Sequence, residues 1–180
     1  MRVGIPLMTL AELDRLPQDG NRYELIDGVL YVSAAPLTKH QRTAFNLTMV
    51  LGPFVREHKL GEIFFAPTDV TLEPASQTRV QPDIIFIAEH RLDIVQEKGV
   101  YGPPDLVVEI LSESTFRVDL YDKRDLYRRA GVKEYWAVDP DEQYVLVYRF
   151  GESSEPRRLA KGDILTTPLV GFSVFSVSLW

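Results

Sequence analysis

No cysteine occurs anywhere in the 180 residues. That excludes disulfides, thiolate zinc sites and cysteine nucleophiles, and it fits the reducing cytoplasm, which is the expected location. Long apolar runs are missing too. No stretch approaches the roughly 20 apolar residues of a membrane-spanning helix. The opening "MRVGIPLMTLAELDRL" lacks the long apolar centre of a signal peptide, so no membrane association is expected. An excess of positive charge is also absent: 20 Lys and Arg stand against 26 Asp and Glu, a formal net charge of -6. Such a chain does not hold nucleic acid by bulk charge. Binding to it would require a local basic surface.

What is present is enough apolar material for a core, with 45% hydrophobic residues, and no repeat or low-complexity linker. The expectation is a single domain over residues 1–180. "RYELIDGVLYVS" reads as a hairpin turning at Asp27-Gly28, a pair suited to positive φ. "LTKHQRTAFNLTMVLGPFVREHKLG" reads as a helix, with Thr38 and Gln41 matching a capping box and Gly52-Pro53 expected to kink it. "EIFFAPTDVTLE" predicts an extended strand or strand pair, "DIIFI" a strand, and "AEHRLDIVQEKG" a short helix. "LVVEIL" is strongly β-forming. Ser114 or Thr115 is placed to cap a helix "FRVDLYDKRDLYRRA" that stops at Gly131. "KEYWAVD" and "YVLVYRF" read as a hairpin, and the tail suggests short β segments. The unit "LVVEIL", helix, "EYWAVD" suits a crossover between parallel strands. The fold class is therefore α/β (α+β): a mixed central sheet flanked by helices, with an N-terminal hairpin and a C-terminal β extension.

Two carboxylates sit oddly in this pattern. Asp83 stands at the mouth of an apolar strand, and Glu109 lies inside another, where an unpaired charge is costly. If the strands are neighbours, the two acids converge, and like charges raise each other's pKa unless something positive lies between them. On that reading, removing Asp83 relieves repulsion. Mg²⁺ suits the gap, since it takes a few carboxylate oxygens and keeps several waters. The following helix carries Arg117, Lys123, Arg124, Arg128, Arg129 and then Lys133, a local basic region. Asp119, Lys123 and Tyr127 are spaced four apart and share one helix face approximately.

The pattern "YELIDG", "PDIIFI", "DLVVEILSEST", a helical Asp119-Lys123-Tyr127 series and "GVKEYWAVD" resembles a bacterial family described as putative restriction endonucleases, within the PD-(D/E)xK nuclease superfamily. The likeness runs from about Tyr23 to the C-terminus. Leu111 occupies the place of the superfamily lysine, and Lys123 matches the lysine this family supplies from the next helix. The resemblance implies a restriction-endonuclease-like core and hydrolysis of DNA. It implies Asp83 and Glu109 as ligands of Mg²⁺ or Mn²⁺, with the Ile110 carbonyl as a third. Lys123 would orient the attacking water or stabilise charge on the phosphate. Glu24 would supply a further acid, and His40 would touch a phosphate. One site nicks one strand, so a homodimer or higher homo-oligomer is expected for double-strand cutting. Against this stand an inactive nuclease-fold module that binds nucleic acid or protein, and a two-carboxylate hydrolase without metal. For Lys123 the plainer reading is a surface pair with Asp119; for Glu24, an Arg partner across the strands; for His40, a surface histidine; for Tyr127 and Trp136, the core.

Overall fold

The computed structural model describes residues 7–153, 155–175 and 179–180. The chain enters through a one-turn helix, α1 (Leu10–Leu13), closed by a Thr9/Glu12 capping box. The hairpin follows as β1 (Arg22–Ile26) and β2 (Val29–Ser33). Its turn sits where expected, with Asp27 at φ 52° and Gly28 at φ 79°, the left-handed pair that matches the twist of a two-residue hairpin.

Helix α2 (Thr38–Glu57) buries Thr43, Leu47, Leu51 and Val55 at four-residue spacing. The expected capping box is not formed. Thr38 is already helical, and the N-cap is Leu37, which has no side-chain acceptor. The first amides of α2 are therefore left without a side-chain cap. Pro53 lies inside the helix without ending it.

The strands are β3 (Gly61–Phe65), β4 (Val70–Glu73), β5 (Thr78–Val80), β6 (Ile84–Ala88), β7 (Val95–Gln96), β8 (Gly99–Tyr101), β9 (Leu106–Ile110), β10 (Glu134–Asp139), β11 (Tyr144–Arg149), β12 (Arg157–Ala160), β13 (Ile164–Thr167) and β14 (Phe172–Phe175). They form two six-stranded sheets and a β13-β14 ribbon, where one central sheet was expected. The first sheet runs β2-β1-β5-β4-β8-β7 and the second β12-β11-β10-β9-β6-β3. The N-terminal hairpin is thus the edge of a sheet of its own. Segment 89–94 is a single 3₁₀ run before β7 rather than an α-helix. As expected, β9 and β10 are parallel, and β10 returns antiparallel through β11.

The second sheet is apolar on both faces, and strand alternation sorts its residues. Ile84, Phe86, Leu106, Val108, Ile110, Trp136 and Val138 pack with α2. Ile85, Ile87, Val107, Leu111, Tyr135 and Ala137 pack with the first sheet and the helix after β9. That helix begins at Phe116, widens into a π-helical segment, Val118–Lys123, and continues as α3 (Arg124–Ala130). Thr115 directly precedes its first helical residue, the Asp119 amide donates to the Thr115 carbonyl at 2.9 Å, and the Ser112 hydroxyl is shared with Ser114 and Thr115. Gly131, at φ 91°, ends α3 as expected. Among the described residues no helix is long and apolar enough to cross a membrane.

Candidate active site

Strands β6 and β9 pair antiparallel with Ile84 opposite Val108, so Asp83, one residue before β6, stands opposite Glu109. Both share the parity of Ile85 and Val107 and point to the face covered by the π segment and the first sheet. From that sheet β1 brings Arg22 and Glu24, which alternate onto one side with Ile26. The first turns of α2 bring His40. All of these line one cavity of about 630 Å³, together with Asp119 and Lys123.

Asp83 is 4% exposed and heavily partnered. Arg22 Nη2 donates to Oδ1 at 2.9 Å, the Ile110 amide donates to Oδ2 at 2.8 Å, and His40 Nε2 lies 3.0 Å from Oδ2. Burial raises the Asp83 pKa, but the His40 bond and the Arg22 charge outweigh it and hold it below the usual range. The expectation that Asp83 is strained by Glu109 and relieved by removal is therefore corrected: it is anchored by three donors.

Glu109 is the strained acid. Its Oε1 accepts from Tyr127 at 2.6 Å and from Lys123 at 3.0 Å. Burial, opposed by Lys123 and reinforced by Asp119, Asp83 and Glu24, pushes its pKa up to about 8. Lys123 Nζ also lies 2.9 Å from Glu24 Oε2 and 3.5 Å from Asp119 Oδ1. Burial pulls the ammonium down, but Glu109, Glu24 and Asp119 together hold it well above its ordinary value. Glu24 Oε1 also accepts from the Gln81 amide at 2.8 Å.

The π segment explains how one helix supplies Asp119, Lys123 and Tyr127 to this point. Four residues overshoot an α-helical turn of about 3.6 residues and fall short of the wider π turn. Asp119 to Lys123 lies in the π segment and Lys123 to Tyr127 reaches into α3, so the two drifts oppose each other. All three residues are at most 3% exposed.

Four buried carboxylates, Asp83, Glu24, Glu109 and Asp119, line the inner part of the cavity with Arg22 and Lys123, while the exposed Lys39, Glu113 and Asp141 lie at its rim. Among these inner groups the negative charges are two in excess when all are ionised, which adds to burial, the first cause of the raised Glu109 pKa. A divalent ion would cancel that excess. Among the described residues no group of three acidic or histidine side chains forms a metal cluster.

The structure brings Asp83, Glu109, Lys123 and Glu24 together, with His40 beside Asp83. Lys123 is not a surface partner of Asp119 alone, and Glu24 pairs with that lysine rather than with an Arg. His40 is not a surface histidine: its side chain is 13% exposed and its Nδ1 is buried without a partner. Tyr127 and Trp136 are fully buried as expected, yet Tyr127 also belongs to the site. The basic region is largely neutralised. Arg124 and Arg128 pair with Asp125, Arg129 with Asp27, and Lys133 with Asp105, so most of its charges carry an acidic partner. Sequence reasoning passed over Arg22. Its two-residue offset from Glu24 on a predicted strand was the available signal.

Comparison with known proteins gives a consistent result. The family model Uma2, described as "Putative restriction endonuclease", matches residues 10–178. The uncharacterized protein sll1609 of Synechocystis sp. strain PCC 6803 is 28% identical over 163 residues, covering 83% of this chain and 91% of that protein. A crystal structure described as a putative nuclease belonging to DUF820, from Anabaena variabilis, superposes with a TM-score of 0.80 at 22% identity, over 96% of this chain and 97% of that one. The last likeness speaks to the fold, which is the mixed α+β, nuclease-like architecture expected.

Proposed function

The chain belongs to the Uma2 family, described as putative restriction endonucleases, and from that premise we propose that it is a divalent-metal-dependent nuclease hydrolysing DNA phosphodiester bonds at the Asp83–Glu109–Lys123 cavity. The observation that carries the proposal is the ammonium of Lys123, buried between Glu109 and Glu24 beside an anchored Asp83. Asp83 and Glu109, with the Ile110 carbonyl, are the groups that would hold Mg²⁺ or Mn²⁺. When bound, such an ion polarises the scissile phosphate and acidifies a water.

The protein's own groups have separate tasks in this reading. Arg22 and His40 fix the Asp83 carboxylate, and Tyr127 fixes that of Glu109. Lys123 is held in place by Glu24 and Asp119 and offers its charge to the negative charge that develops on the phosphate. The uncapped first turn of α2 borders the same cavity through Leu37, Lys39 and His40 and presents free amides to a phosphate oxygen. One cavity cuts one strand, so double-strand cleavage would take two copies of the chain.

The test is nicking of supercoiled plasmid and single-stranded DNA with Mg²⁺ or Mn²⁺, against EDTA and against the Asp83→Ala and Glu109→Gln variants. Metal-dependent nicking by the wild type that is lost in both variants is expected. Metal binding with no cleavage of any DNA form would refute catalysis and leave a binding module. Cleavage that survives EDTA would refute the metal.

A further inference from the structure

A second cavity, of about 230 Å³, adjoins the first and shares Arg22, His40 and Asp83 with it as a common wall. Its lining includes Phe45 from α2 and Phe65 from the end of β3, with Gln41 and Thr48, also of α2, as polar members. Both rings are held in solvent, 62% and 59% exposed. Neither serves the core. The buried line of α2 is Leu47, Leu51 and Val55, which excludes Phe45, and β3 is the edge strand of its sheet.

We propose that this cavity receives an unpaired nucleobase, laid against Phe45 and Phe65, so that the preferred substrate is single-stranded or locally unpaired DNA. The inference rests on the nuclease reading above. Continuity decides the occupant. A strand whose phosphate lies at Asp83 and Lys123 has its neighbouring base within reach of a space that begins at the other side of Asp83. Aromatic faces accept any base by stacking, and Gln41 and Thr48 offer hydrogen-bonding groups to a base edge. A duplex cannot use the space without extruding a nucleotide, because its bases are stacked inside the helix.

The test uses the full chain with Ca²⁺ in place of Mg²⁺, and a single-stranded oligonucleotide carrying 2-aminopurine, whose fluorescence is quenched on stacking. The expected result is quenching by the wild type and single-strand binding weakened about tenfold in Phe45→Ala and in Phe65→Ala. Phe45→Trp should restore both and Phe45→Leu neither, which separates ring stacking from simple apolar cover. Thermal midpoints should not fall, since both rings are exposed. Metal-dependent cleavage with unchanged quenching and unchanged strand preference in the Ala variants would overturn the base site while leaving the nuclease reading intact. Quenching that depends on both rings, with no cleavage of any DNA by the wild type, would support the base site and remove the nuclease reading. A shift from dimer to monomer on sedimentation of Phe45→Ala, with quenching unaltered, would overturn the proposal and mark the face as a contact between copies.

Discussion

Replacing Lys123 with Met keeps much of the stem and removes the charge. In the native protein that ammonium lies 2.9 Å from Glu24, 3.0 Å from Glu109 and 3.5 Å from Asp119, and all four residues are at most 5% exposed. Removing one member of a buried ion cluster leaves uncompensated charge and costs about 3–5 kcal/mol. The cost depends on pH. Asp119 is already above its ordinary value, with burial as the main cause and Lys123 opposing it, and Glu109 is likewise raised, to about 8. Without Lys123 both rise further. A group whose folded pKa exceeds its unfolded one gives stability that is full below the unfolded value and is lost as pH rises through the folded one. The variant should therefore be nearly as stable as wild type at about pH 5, and fall behind by about 3–5 kcal/mol at about pH 9. Urea unfolding in EDTA at both pH values measures this. Cleavage should drop by about a hundredfold or more, with Mg²⁺ binding kept. A loss of only about 0.3–0.5 kcal/mol at both pH values, the worth of an exposed helical ion pair, together with normal cleavage, would refute the role given to Lys123.

Asp83→Ala leaves the Arg22 guanidinium buried without its partner and the Ile110 amide unsatisfied, so a loss of about 3–5 kcal/mol is expected in denaturant unfolding at neutral pH. Because the folded Asp83 pKa is lowered, the stability it gives is present above the unfolded value and is lost in acid, so the gap from wild type should close as pH falls below about 4. Glu109→Gln has the opposite sign: the native acid titrates near 8 against an ordinary 4.5, so in EDTA the variant should match wild type at about pH 5 and exceed it at about pH 9. In thermal-shift measurements it should also lose the rise in midpoint that Mg²⁺ gives the wild type. Tyr127→Phe removes the 2.6 Å bond to Glu109; the expected loss is about 1.5–3 kcal/mol where Glu109 is ionised and about 1 kcal/mol where it is protonated, read from unfolding at the two pH values.

Local chemistry made much of the fold legible. Asp27-Gly28 announced the hairpin because few residues take two positive φ angles in succession. "DIIFI" and "LVVEIL" announced strands by β-branched content, and their parity already put Asp83 and Glu109 on one face once the strands were neighbours. Partner choice was not legible. The segments that became β3 and β4 read as an extended strand or a strand pair, yet they entered different sheets, because pairing depends on residues far away in sequence. Thr38 and Gln41 matched a cap by spacing alone, and the helix simply began one residue earlier. The π segment was hidden because a four-residue repeat looks the same in either helix. Arg22 was overlooked because an arginine in a hairpin strand normally faces water; its ion pair with the buried Asp83, from another sheet, is what draws it inward.

The alternation of β9 has one more consequence. Glu109 sits between Val108 and Ile110, which fill the other face against α2. A one-residue slide of β9 along β6 would exchange them, burying a carboxylate in hydrocarbon and leaving the Lys123 ammonium facing valine. Apolar strands of this kind are otherwise prone to slip, since any offset still buries oil on both sides. The acid thus acts as an index pin for the assembly of the sheet, and a deletion within the strand destroys alignment and site in the same event.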